Sequence, residues 1–65
     1  MNFNLDNDIL NILYVNKIIT TSALSHILIF KNEEYKINDI LVLLKNMHEN
    51  NKIMIDKNII TLMNQ

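Results

Sequence analysis

The twelve residues Lys52–Met63, KIMIDKNIITLM, follow directly on the apolar segment 37–51, INDILVLLKNMHENN. They read as a β-hairpin over 52–63 hung on the end of a helix. Pairing Ile55 with Ile60 and Ile53 with Leu62 puts four apolar side chains on one face of the hairpin. A slip by one residue pairs Ile53 with Thr61 and turns Ile60 and Leu62 to the other side, so the first register is expected. It places Lys57 and Asn58 at the tip, with Asn58 taking a positive φ. It also leaves Met54, Ile59 and Met63 on the outer face, a large apolar surface for so small a chain and a candidate protein interface.

Upstream, Ile37, Ile40, Leu41, Leu44 and His48 share one face at helical spacing, predicting a helix over 36–49 stopped by Asn50 and Asn51. His48 closes that stripe and reads as a packing residue. The polar stretch KNEEY precedes it. Before that, Thr20 or Thr21 can cap a helix over 21–30 with Ala23, Leu24, Ile27 and Leu28 inward. The β-branched piece Ile18-Ile19-Thr20 suggests a strand of one or two residues. Leu5, Ile9, Ile12 and Leu13 fall at i, i+4, i+7 and i+8, predicting a first helix over 5–15, with Asn4 as N-cap and Asp6 and Asp8 near its positive end. The expected class is α+β: three helices, a short strand and a C-terminal hairpin, in one domain over 1–65.

Sixty-five residues make a domain of marginal stability, so a partner is expected to help hold it. There is no cysteine to form a disulfide or a thiolate zinc site. The acidic, Asn-broken start lacks the pattern of a secretion signal, and no apolar run approaches a membrane span, so the chain reads as soluble and cytoplasmic or nuclear, with the cytoplasm expected. Six Lys, no Arg and seven carboxylates give a net charge of −1, which argues against gripping a phosphate backbone unaided. Twelve Asn and twelve Ile stand beside no Gly and no Pro, so Asn and Asp must supply the turn and left-handed positions.

The order of elements is that of a winged helix-turn-helix. The run NKIITTSALSHILIF, residues 16–30, resembles the eukaryotic and archaeal small-subunit ribosomal protein twenty-five family through Lys17, Ile19, Thr20, Leu24, Ser25 and Leu28. LDNDILNILYV corresponds to that family's first helix and NKIMIDKNIIT to a shortened wing. The resemblance implies a structural constituent of the small ribosomal subunit, with rRNA and ribosomal proteins as partners. Three features depart from it: the family's Lys-rich N-terminal extension has no counterpart, KNEEYKIND replaces a Gly-Ser and Arg-bearing entry to the third helix, and Asn51 replaces a Gly before the wing. The family's RNA-gripping residues do not carry over at those positions.

Two other readings stand beside it: a dimeric DNA-binding regulator and a protein-only adaptor. In the first, the outer face of the third helix, Asn38, Asp39, Val42, Asn46 and Glu49 with Lys45 at its margin, would enter a major groove. Asn can read adenine, but two carboxylates oppose entry and no Arg is present for guanine. The candidate nucleic-acid contacts are Lys31, Asn32, Lys36, Asn38, Lys45, Lys57 and Asn58. No catalytic constellation, metal set, cofactor motif or small-molecule site is legible. Asp6 and Asp8 read as helix-start charges, Glu33-Glu34 as a loop pair, and Ser22 and Ser25 lack a nucleophile's context. The chain is therefore expected not to be an enzyme.

Overall fold

The computed structural model describes residues 3–63. They form α1 (Phe3–Asn16), β1 (Ile18–Thr20), α2 (Thr21–Lys31), α3 (Ile37–Glu49), β2 (Ile53–Asp56) and β3 (Ile59–Leu62). The fold is α+β: three helices packed with one three-stranded antiparallel sheet in the order β1-β3-β2. The hairpin takes the register read from its apolar pattern, Ile55 opposite Ile60 and Ile53 opposite Leu62. Ile53 and Ile60 are buried, Ile55 and Leu62 partly so, and Met54 and Ile59 face outward. Met63, expected outside, is half-buried, and its N–H donates to the Lys52 carbonyl at 3.1 Å. β1 has three residues, more than the pattern suggested, because pairing Ile18, Ile19 and Thr20 with Thr61, Ile60 and Ile59 makes each of them a sheet residue.

Left-handed residues stand in for glycine at the ends of α1 and α3 and at the hairpin tip. α1 ends on Lys17 at φ 68°, whose N–H donates to the Leu13 carbonyl at 2.8 Å, while Asn16 Nδ2 donates to that of Ile12 at 2.8 Å. α3 ends in a Schellman motif: Asn51, at φ 62°, donates to His48 at 3.1 Å and Lys52 to Met47 at 2.9 Å. Lys57 and Asn58, at φ 53° and 67°, form the paired left-handed centre of a type I′ hairpin turn. Two of these four positions are thus Lys, where only Asn or Asp was expected. A left-handed residue with a Cβ costs about 1–2 kcal/mol. At Lys17 a cation–π contact, its Nζ 5.0 Å from the Tyr14 ring centre, offsets part of that cost. Asn4 is not the N-cap of α1, because the helix already includes Phe3.

The core joins every layer. Leu5, Ile9 and Leu13 from α1, Leu24 and Leu28 from α2, Ile40, Leu44 and Met47 from α3, and Ile53 and Ile60 from the sheet are all buried. Two helix faces are turned from the expected ones. On α3 the stripe is centred on Ile40, Leu44 and Met47, roughly 50° round from the predicted one at 100° per residue. Met47 therefore enters the core, while Ile37 and Leu41, expected inside, are 53% and 47% exposed. On α2 the same happens to Ile27, which is 40% exposed. His48 stays half-buried, as a packing residue should. The Ile55 N–H donates to its Nδ1 at 3.3 Å, and the Ile53 carbonyl lies 3.4 Å from the same atom. β2 is an edge strand, and His48 covers part of its backbone.

Two substitutions test this framework by urea denaturation. Ile60→Ala should cost about 2–5 kcal/mol, enough to unfold a domain of this size. Asn51→Ala should cost about 1 kcal/mol, whereas Asn51→Gly should leave stability equal or slightly higher.

Candidate functional site

An open surface groove lies between α2 and α3, and local chemistry at both ends of α2 builds it. At the start, Thr20 Oγ1 accepts the Ala23 N–H at 3.1 Å and caps the helix. The Thr21 N–H donates to the Asn58 carbonyl at 2.9 Å, so the hairpin tip stands against this end of α2. At the other end, the Asn32 N–H donates to Leu28 at 2.9 Å and Asn32 Oδ1 accepts from the Glu34 N–H at 3.0 Å. That Asx-turn redirects the chain into α3. The Tyr35 hydroxyl then donates to Asp8 Oδ2 at 2.6 Å, tying the turn to α1 and fixing where α3 begins. Accepting that hydrogen bond, the Asp8 carboxylate holds the Tyr35 phenol above its ordinary pKa of 10.0, helped by partial burial and the carboxylate's charge and opposed by Asn32.

Between these anchors runs an open groove of about 790 Å³, lined by Thr21, Ser22, Ser25, His26, Ile27, Ile29 and Phe30 from α2 and by Ile37 and Leu41 from α3. Phe30 is 95% exposed. His26 Nδ1 lies 3.1 Å from the Ser22 carbonyl and must donate to it, so the ring edges the groove in a fixed orientation. The groove offers apolar contact, three hydroxyls and an imidazole. Among the described residues no group of three His, Cys, Asp or Glu side chains could hold a metal ion, and no helix is long and apolar enough to cross a membrane.

The candidate nucleic-acid residues do not converge on one patch. Lys31 closes α2, Asn32 caps it, Lys36 is the N-cap of α3, and Asn38 and Lys45 are exposed along α3. Lys57 and Asn58 lie at the opposite end of α2, which spans roughly 16 Å at 1.5 Å per residue. Asn32 and Asn58 already have structural roles, one in the Asx-turn and one in the hairpin turn. The outer face of α3, Asn38, Asp39, Val42, Lys45, Asn46 and Glu49, is exposed throughout. On the sheet's outer face Met54, at 45% exposure, shares a cross-strand row with Thr61 and Ile18, and Ile59 lies beside them. Met63, the third interface candidate, is half-buried.

The groove residues escaped the sequence reading because Ile27, Ile37 and Leu41 were assigned to the core. Phe30 carried a usable signal. It lies two and six residues from Leu28 and Leu24, on the opposite side of their helix stripe. No protein-family model, curated protein or solved structure matches the chain.

Absorbance titration of the tyrosines should show the Tyr35 phenol ionising above 10.0, and Asp8→Ala should return it toward that value. Because the folded pKa is the raised one, the stabilisation is fully present below pH 10.0 and is lost as pH rises through the shifted value.

Proposed function

We propose that the chain is a winged helix-turn-helix module acting as a non-catalytic component of a larger cytoplasmic assembly, held there by protein contacts. The order α1-β1-α2-α3-β2-β3, with β1 and the C-terminal hairpin in one sheet, supports the winged-helix reading. The observation that carries the function is the α2–α3 groove, whose Phe30, Ile37 and Leu41 are 95%, 53% and 47% exposed on a chain of net charge −1 without Arg. Apolar side chains so placed are costly in water and favour a covered state.

The small ribosomal subunit is the assembly that the resemblance suggests. The matched positions have coherent roles in this fold: Lys17 ends α1, Thr20 caps α2, and Leu24 and Leu28 are buried. On that reading Lys31, Lys36 and Lys57 would meet rRNA while the apolar surfaces meet protein neighbours. The exposed outer face of α3 keeps a dimeric DNA-binding regulator as the alternative, in which Asn38 would read a base and Asp39 and Glu49 would oppose entry.

Sedimentation of a native lysate separates these readings. The chain should travel in a complex much heavier than 7.7 kDa, and free migration would overturn the proposal. Comigration with the small ribosomal subunit supports the ribosomal form, and salt-sensitive retention on duplex DNA supports the regulator. Lys31→Glu with Lys36→Glu should weaken retention on RNA or duplex DNA where nucleic acid holds the chain.

A further inference from the structure

We infer that His48 is a two-position latch between α3 and the free edge of β2, accepting the Ile55 N–H when its ring is neutral and donating to the Ile53 carbonyl when the ring is protonated. The bond from the Met63 N–H to the Lys52 carbonyl makes residues 52 and 63 a hydrogen-bonded pair, and the antiparallel ladder alternates from there. Met54 and Asp56 therefore bond to β3, while the backbone groups of Ile53 and Ile55 point to the other side. Among the described residues no strand pairs with β2 on that side. His48 stands there instead: its Nδ1 is 3.3 Å from the Ile55 nitrogen and 3.4 Å from the Ile53 oxygen. A donor and an acceptor of one strand edge thus converge on a single ring atom, which can serve only one of them at a time.

Which group it serves follows from the ring's charge. A neutral imidazole that accepts from Ile55 at Nδ1 carries its proton on Nε2. In the imidazolium both nitrogens carry protons, so Nδ1 turns from acceptor to donor; the Ile53 carbonyl gains a partner and the Ile55 N–H loses its own. His48 lies in the last turn of α3, whose negative dipole end, with the Ile53 carbonyl, suits the cation, while the Ile55 N–H suits the neutral ring. His26 is the internal contrast. Its Nδ1 faces the Ser22 carbonyl at 3.1 Å and donates to it in both charge states, so protonation costs it no bond. Around the latch, Lys45 and Lys52 lie about one turn to either side of His48 and Glu49 lies next to it; β2 brings Asp56, one residue after Ile55, and β3 brings no charged residue. The titratable groups of α2 are His26, in the groove beside Ile37 and Leu41, and Lys31; α1 has Asp6 and Asp8, the latter bound to Tyr35 ahead of α3.

NMR of the full chain tests the latch. At about pH 8 the ring nitrogens should show His48 as the Nε2–H tautomer and His26 as the Nδ1–H tautomer. Acidification to about pH 5 should move the Ile55 amide proton upfield and speed its exchange about tenfold beyond the intrinsic change with pH. That response, and a shift of the Ile53 carbonyl carbon, should share the midpoint of the His48 ring, and no amide should lose protection at the midpoint of His26. In His48→Gln, whose side chain offers an acceptor and a donor at every pH, the Ile55 amide should cease to respond over this range. His48 in the Nδ1–H tautomer at about pH 8, or an Ile55 amide that stays unchanged through the His48 midpoint, would overturn the inference on the unmodified chain alone. An Ile55 response that persists in His48→Gln, or that follows only the ionisation of the Asp56 carboxylate, would overturn it as well.

Discussion

Everything in this small fold depends on β3 being paired on both sides. Ile60 lies between Ile19 of β1 and Ile55 of β2 and is completely buried, so one row of three isoleucines joins residues some forty positions apart. The β2–β3 hairpin alone would be marginal in water. Adding β1 fixes the start of α2 against the hairpin tip, and the core then reaches from Leu5 through Leu24 and Ile40 to Ile53. A 65-residue chain without cysteine has little else to hold its ends together.

The second constraint is the absence of glycine. Three reversals still require left-handed residues, and the chain meets them with two Asn and two Lys. The rest of the fold must absorb this strain, because each position is over-determined by its neighbours. Lys17 stands between α1 and a paired strand, Asn51 sits inside a Schellman motif, and Lys57 and Asn58 close a registered hairpin. The same economy appears in Tyr35, whose single bond to Asp8 sets the entry to α3 and so one wall of the groove.

These constraints shape the surface as well as the core. With the α3 stripe centred on Ile40, Leu44 and Met47, the Ile37 and Leu41 side chains are left at its flank beside α2. The sharp turn between the helices keeps Phe30 next to them. Part of the exposed apolar surface thus lines one open groove, while Tyr14, Val15, Ile18, Val42, Met54 and Ile59 are exposed outside it.

Read by itself, the sequence determined the class, the order of elements and the hairpin register. Period-two and period-3.6 patterns are local, and Ile53, Ile55, Ile60 and Leu62 admit only one pairing that puts them on one face. It also narrowed the cap of α2 to Thr20 or Thr21 and the left-handed stop of α3 to Asn50 and Asn51, features that depend on neighbours within a few residues; the structure takes Thr20 and Asn51. The tertiary structure alone decided that β1 joins β3, that Tyr35 reaches Asp8 twenty-seven positions away, and which part of each apolar helix face is buried. The apolar faces of α2 and α3 are wider than the core can cover, since Ile27, Ile37, Leu41 and Met47 all lie on or next to a buried stripe. The choice among them is made by the angle at which the helices meet α1 and the sheet, a quantity no short-range pattern encodes. The groove exists because that choice left Ile37 and Leu41 outside.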